Sequence, residues 1–176
     1  NYLNLALVEK GVLAEQLFKF PQAGPESLIA DEKSESAIDM LRLSHILFSM
    51  GNMAGAQSMA FNANQAFSYN PSMLKMLVQV DLMRGSYDVA GKNIRLLKKT
   101  LAYRSWAKSH EAFLGNDALV ENDPVLGNGR RDIPEDGDFV LGSSFDALRR
   151  VVWTNPDDTK ARQYALAYMM LSGKDD

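Results

Sequence analysis

The sequence contains no cysteine, only two histidines and two tryptophans, and no hydrophobic run long enough to span a bilayer. The lack of cysteine excludes disulfides and thiolate metal sites, and it fits any compartment, so the localisation stays open. Charged residues such as Asp39 and Asp81 interrupt the most apolar stretches, which excludes a spanning helix there. The net charge is only −3, which argues against nucleic acid as a partner of the whole molecule.

Sequence fingerprints of catalysis and cofactor binding are also missing. The chain has no G-x-S-x-G element, no P-loop and no dinucleotide-binding glycine motif. His45 and His110 have no second metal ligand near them in the sequence, and His45 is expected to lie in the core or to line a groove. We therefore predict no catalytic residues, no cofactor and no metal site.

The composition of the chain is that of a globular protein. Its 176 residues are enough for one domain with its own core, and 46% of them are hydrophobic. We expect a single helical domain over residues 1–176. The chain begins at Asn1 without a Met, so we expect a fragment or a processed product, which is compatible with the removal of a targeting or membrane segment.

Hydrophobic spacing predicts helices along most of the chain. In 86–101, Ala90, Ile94 and Leu97 fall in one stripe at 100° per residue, and Lys92 and Arg95 lie opposite. That pattern is typical of a helix packed on one face. The predicted helices cover about 2–10, 12–20, 36–50, 53–68, 71–84, 87–101, 102–113, 144–153 and 157–172.

Two Asn-Pro pairs mark predicted helix starts. The side chains of Asn70 and Asn155 can each accept a hydrogen bond from an unpaired N–H in a first turn. Pro71 and Pro156 would then occupy the first helical position, where the missing N–H costs nothing.

The same glycine and the same alanine recur after 34 residues. Gly51 and Ala56 correspond to Gly85 and Ala90, so a glycine turn and a small residue in the following helix are repeated. Laying 37–70 over 71–104 also matches apolar positions: Met40 with Leu74, Leu43 with Leu77, Phe48 with Leu82, Ala60 with Ile94 and Ala63 with Leu97. This period and pattern resemble the tetratricopeptide (TPR) repeat in a degenerate form.

The resemblance implies an all-α fold, an α-solenoid of degenerate TPR-like helix hairpins with one long loop insertion at 114–142. Two antiparallel helix pairs, 37–70 and 71–104, would turn near Gly51 and Gly85. In TPR proteins, first-helix side chains line a concave surface and contact the ligand. Carried over to positions 13, 10, 6 and 3 residues before each turn glycine, this predicts partner contacts at Ile38, Leu41, His45, Phe48, Ser72, Lys75, Gln79 and Leu82.

The insertion at 114–142 carries seven acidic residues against Arg130 and Arg131. A calcium-binding loop does not fit it, because Pro134 occupies a ligand position and Ser143 stands where a bidentate Glu is needed. Its proline, glycine and negative charge predict a largely non-helical segment that projects from the body. We also expect deletion of about twenty of its residues to leave cooperative melting nearly intact.

Two charge features stand out elsewhere. Asp81 falls on the apolar side of its predicted helix, so its carboxylate needs a partner, either Arg84 or a neighbouring helix. The stretch 84–108 is basic, with Asp88 as its one acid, and is expected to be a solvated helix face. The alternative is a patch for an acidic protein, an anionic lipid or, least favoured, nucleic acid.

These features favour a non-enzymatic scaffold that binds a protein or peptide of unknown identity. Two alternatives stay open: an accessory soluble domain of a membrane-anchored envelope protein whose active part lies outside this fragment, and an enzyme with its site under the 114–142 loop. The stretches NLALVEKGVLAEQLFKFPQAGP and GSYDVAGKNIRLLKKTLAYRSWA resemble the soluble C-terminal part of an uncharacterised bacterial family with membrane-spanning segments upstream. This second resemblance implies an anchor outside the chain and no activity. The oligomeric state is left open.

Overall fold

The computed structural model describes residues 2–29, 36–67, 70–134 and 143–173, and every regular element in these ranges is a helix. The predicted all-α class is therefore confirmed. Short 3-10 turns lie at Leu17–Lys19, Pro25–Ser27 and Glu111–Phe113. The described α-helices are α1 (Tyr2–Glu9), α2 (Leu13–Gln16), α3 (Ala37–Ser49), α4 (Met53–Ala66), α5 (Pro71–Met83), α6 (Tyr87–Leu97), α7 (Arg104–His110), α8 (Asp117–Asn122), α9 (Leu126–Asp132), α10 (Ser144–Thr154) and α11 (Thr159–Ser172).

Two helix hairpins form the centre of the molecule, and they repeat at the interval seen in the sequence. The first helices begin at Ala37 and Pro71, and the second helices begin at Met53 and Tyr87, 34 residues apart in both cases. Helix α3 packs along α4, and α5 packs along α6. The predicted helix pairs within 37–70 and 71–104 are thus present.

Glycine makes the turn inside each hairpin. Gly51 and Gly85 have φ values of 80° and 73°, in the left-handed region that favours glycine. After α3, the N–H of Asn52 donates to the carbonyl of Leu47 at 2.9 Å, which closes the helix end in a Schellman-type turn. The equivalent bond after α5 runs from Ser86 to Asp81 at 2.8 Å. The turns therefore lie where the repeat predicts them.

Helix α5 lies at the centre of the hydrophobic core. Nine of its thirteen residues are buried, and it packs against α4, α6 and α9. Asn70 accepts a hydrogen bond from the N–H of Ser72, and Pro71 takes the first helical position, as predicted. Small residues allow α4 to approach α3 closely and α6 to approach α5 closely, since Ala56 and Ala90 are both fully buried.

The prediction of a largely non-helical, projecting insertion is wrong for the part the structure describes, 114–134. This part contains α8 and α9, and α9 packs on α5 and α10. Val120 and Leu126 are buried in the core. Gly129 lies so close to Met83 that a Cβ at position 129 would be 2.5 Å from its sulfur. Residues 135–142 lie outside the described residues.

Arg130 joins the insertion to the end of α5. Its Nε donates to the carbonyl of Met83 at 3.0 Å, and its Nη2 donates to the carbonyl of Leu82 at 3.2 Å. Its Nη1 pairs with Asp117 at 2.8 Å. A helix leaves its last carbonyls without intrahelical partners, so this guanidinium caps α5 and holds α9 against it.

The predicted helix start at Asn155-Pro156 is also wrong. The last helix begins at Thr159, where the carboxylate of Asp158 accepts hydrogen bonds from the N–H groups of Lys160 and Ala161. Asn155 instead ends α10 and is buried. A carboxylate at the N-cap also complements the positive end of the helix dipole, which favours the later start.

Helices from the two ends of the chain pack on each other. Helix α11 contacts α1 and α2. The side chain of Gln163 accepts a hydrogen bond from the N–H of Leu13 at 3.0 Å, and Lys160 pairs with Glu9 at 2.6 Å. None of the described helices is both long enough and apolar enough to cross a bilayer.

Candidate functional site

The predicted partner surface lies on one side of α3 and α5, and it is only partly accessible. Ile38 is 53% exposed, and the other predicted residues of α3 are half-buried. Leu82 is fully buried, so the prediction that it contacts a partner is wrong. The reason is tertiary, because α9 packs over this end of α5. The half-buried members of the surface are Leu41, His45, Phe48, Ser72, Lys75 and Gln79.

Helix α7 approaches the centre of this predicted surface. The Nζ of Lys75 lies 5.3 Å from the centre of the Trp106 ring, and Trp106 stacks on His110 with 3.8 Å between ring centres. Burial, together with the charge of Lys75, lowers the pKa values of His45 and His110. Among the described residues there is no cluster of three or more side chains that could bind a metal ion. Both histidines are half-buried among other side chains.

A cleft lies on another side of α5, between α4 and α6. Its volume is about 690 Å³. Leu74, Leu77 and Asp81 line it from α5, and they share one face because they lie three and four residues apart. Phe61 of α4 and Val89 of α6 also line the cleft, and both side chains are about half exposed. We call this feature the α4–α6 cleft.

Asp81 is the buried polar centre of the α4–α6 cleft. Its Oδ1 accepts a hydrogen bond from Gln57 Nε2 at 2.8 Å, and its Oδ2 has a long contact of 3.5 Å with Asn93 Nδ2. Arg84 donates to the Oε1 of Gln57 at 3.2 Å. Burial raises the pKa of Asp81 to about 6, against the opposing effects of Gln57, Arg84 and Asn93. The partner expected from the sequence is thus supplied mainly by amides of the two neighbouring helices.

The sequence did not identify the residues that surround Asp81. Gln57, Phe61 and Asn64 lie four and three residues apart, so they share the cleft-facing side of α4. The Oδ1 atom of Asn64 is sealed from solvent and has no hydrogen-bond partner. The sequence carried only a weak signal for these residues. Side-chain amides occur within α4, a helix that is otherwise rich in small residues, and the Asp81 carboxylate needs partners.

Residues 1–175 match the family of unknown function (DUF6057). The chain belongs to the DUF6057 family. Comparison with the curated proteins and with the solved structures gives no match. The description of the DUF6057 family assigns no activity. The function of this DUF6057 domain is therefore inferred from its geometry, and the resemblance to TPR proteins stays a prediction.

A second polar cluster lies in the DUF6057 domain where α9 meets the start of α11. The carboxylates of Asp132 and Asp158 are both buried, beside a cavity of about 190 Å³. Asn155 donates to Asp132 at 2.7 Å, and Asn128 donates to Asp158 at 2.9 Å. Burial and the neighbouring charge of Asp158 raise the pKa of Asp132 to about 7. Both carboxylates are bound within the fold, so this cluster connects the insertion to α11.

The basic stretch of the DUF6057 domain, 84–108, lies mostly at the surface. Lys92, Arg95 and Lys99 are exposed. Lys98 forms an ion pair with Glu111 at 2.7 Å, and Arg104 donates to the carbonyl of Lys98 at 3.1 Å. These contacts favour the interpretation as a solvated helix face, stabilised locally, over a binding patch.

Proposed function

We propose that this domain is a non-enzymatic scaffold of TPR-like helix hairpins that binds a peptide or a protein segment in the α4–α6 cleft. The observation that carries the proposal is a cavity of about 690 Å³ formed between consecutive repeat hairpins. Ligand-binding clefts typically have volumes of about 300–1,000 Å³, mostly apolar walls and a few polar groups. The volume of the α4–α6 cleft lies in this range, and its lining combines apolar side chains such as Phe61, Leu74 and Val89 with polar ones.

The walls of the cleft support an apolar partner surface. Phe61 and Val89 are 52% and 46% exposed, although residues of this size and type usually gain free energy from burial. A bound side chain would cover both and would bury Leu74 and Leu77 further. Asp81 and the amides around it would orient the partner by hydrogen bonds.

The surface predicted from the sequence around Lys75 and Gln79 stays a second location for the same function. Both residues are half-buried, and the Lys75 ammonium already lies near the Trp106 ring. A ligand there would have to compete with this contact. Binding in the α4–α6 cleft would not displace this contact, so the cleft is the better-supported site.

Peptide display tests the proposal. Random twelve-residue peptides are selected on the immobilised domain, and each enriched peptide is measured against a variant in which Val89→Arg fills the cleft. Leu96→Arg is the matched control, since Leu96 is also exposed on α6 but does not line the cleft. We expect binding to the control to match wild type and binding to Val89→Arg to fall about tenfold or more, because buried apolar contacts of this size are lost.

Other outcomes of the display experiment contradict the proposal. Peptides that bind Val89→Arg normally but fail on a Lys75→Ala, Gln79→Ala double variant would place the site on the surface predicted from the sequence. The absence of any enriched peptide would contradict peptide binding itself. Circular dichroism of each variant must show wild-type helicity, so that lost binding is not lost folding.

A further inference from the structure

We infer that the α4–α6 cleft takes an arginine side chain of the bound peptide and holds its guanidinium at the carboxylate of Asp81. This inference rests on the proposed function and names the chemistry of its ligand. The first argument is the unequal use of the two carboxylate oxygens. Oδ1 has a good hydrogen bond from Gln57 at 2.8 Å, whereas Oδ2 has only the 3.5 Å contact with Asn93. A carboxylate accepts about four hydrogen bonds, so Oδ2 retains capacity for a donor.

The burial of the Asp81 carboxylate also favours a cation beside it. Among the described residues, Asp81 and Arg84 are the ionisable ones that line the cleft, since α4 carries no charged side chain and α6 contributes Val89 and Asn93. The Arg84 guanidinium donates to the oxygen of Gln57, and its charge also favours the ionised form of Asp81. Burial opposes the charged form of Asp81, which is why its pKa is raised to about 6. A second guanidinium at Oδ2 would offset that cost.

The walls fit arginine better than a compact ammonium group. Leu74 and Leu77 precede Asp81 on the same face of α5, so they offer an apolar path for the methylene stem. Phe61 presents an exposed ring at the cleft, and guanidinium groups stack on aromatic faces. A guanidinium has five N–H donors in one plane and can bind a carboxylate while its face stacks on a ring, whereas a lysine has three donors on a single nitrogen.

The experiment uses Nα-acetyl-arginine methylamide as the probe and the corresponding citrulline amide as its uncharged control. Binding is followed at millimolar concentrations by the NMR signals of the side-chain amides of Gln57 and Asn93. We expect saturable shifts with the arginine probe and at least tenfold weaker binding of the citrulline probe. Asp81→Asn should weaken arginine binding at least tenfold, and Phe61→Ala, at an exposed wall position, about threefold.

The pH dependence of probe binding gives an independent readout. A ligand that requires the ionised carboxylate should bind about tenfold more weakly at pH 5 than at pH 7.5, because about one-tenth of Asp81 is then charged. This dependence should disappear in Asp81→Asn. Equal binding of arginine and citrulline, no binding of arginine, or unchanged binding to Asp81→Asn and Phe61→Ala would each overturn the inference.

Failure of this inference is distinguishable from failure of the proposed function. Displayed peptides that lose binding on Val89→Arg, yet contain no arginine and bind Asp81→Asn as tightly as wild type, would overturn the arginine assignment. The peptide-binding function would stand in that case. If no peptide depends on the α4–α6 cleft, the proposed function itself fails.

Discussion

The two turn glycines allow a matched test of how the first hairpin is held in the fold. Gly51 and Gly85 occupy equivalent turns and have nearly equal positive φ values. Any alanine at such a backbone conformation costs about 1–2 kcal/mol, partly offset by the lower entropy of the unfolded chain. At Gly85 a new Cβ would meet no atom within 4 Å, so Gly85→Ala should cost about 1 kcal/mol.

At Gly51 the same substitution also produces a steric clash. The new Cβ would lie 2.6 Å from Val151 Cγ1 and 3.0 Å from Asp132 Oδ2. Both of these side chains are buried, so neither can move aside freely. Overpacking of this kind costs about 1–3 kcal/mol more. We expect Gly51→Ala to destabilise the domain by about 2–4 kcal/mol in total.

Urea unfolding monitored by circular dichroism measures both variants against wild type. A thermal scan should show the same order, at roughly 2–4 °C for each kcal/mol in a domain of this size. In the double variant Gly51→Ala, Val151→Ala the loss of stability should be smaller than the sum of the losses in the two single variants, because the clash with Val151 is removed. Equal destabilisation by Gly51→Ala and Gly85→Ala would refute the packing of α9 and α10 against the first turn.

Two further predictions concern the insertion. Arg130→Met should lower the free energy of unfolding by about 2–3 kcal/mol in urea melts, because two carbonyls at the end of α5 and Asp117 lose a charged donor. The matched Arg131→Met, at an exposed neighbour, should change it by less than about 0.5 kcal/mol, and similar losses in both would contradict the capping role. Burial and the charge of Asp158 raise the pKa of Asp132 in the folded protein from 3.8 to about 7, so its contribution to stability is fully present below pH 3.8 and is lost as the pH rises through about 7. The urea midpoint of wild type should therefore fall over this pH range, and that of Asp132→Asn, whose side chain cannot ionise, should fall less. An equal fall in both proteins would contradict the raised pKa of Asp132.

The central hairpins could be predicted from the sequence because the signals that build them are local. Apolar spacing sets the helices, Asn70 with Pro71 starts α5, and Gly51 and Gly85 follow the ends of α3 and α5 in turns that need a positive φ. Asp81 could also be singled out, since a carboxylate on an apolar helix face requires a partner. Its actual partners, Gln57 and Asn93, are distant in sequence and carry no periodic signal.

Tertiary packing decided the helical structure of the insertion and the position of the open cleft. An isolated helix as short as α9, with Gly127 and Gly129 inside it, is unstable in water. It forms here because Gly127 allows close approach to α8, because Gly129 allows close approach to α5, and because Arg130 binds the carbonyls at the end of α5. The same contact buries Leu82, whose spacing alone suggested an accessible position. Periodicity therefore fixed which residues of α5 share a face, while the helices packed around α5 decided which of its faces borders an open cavity.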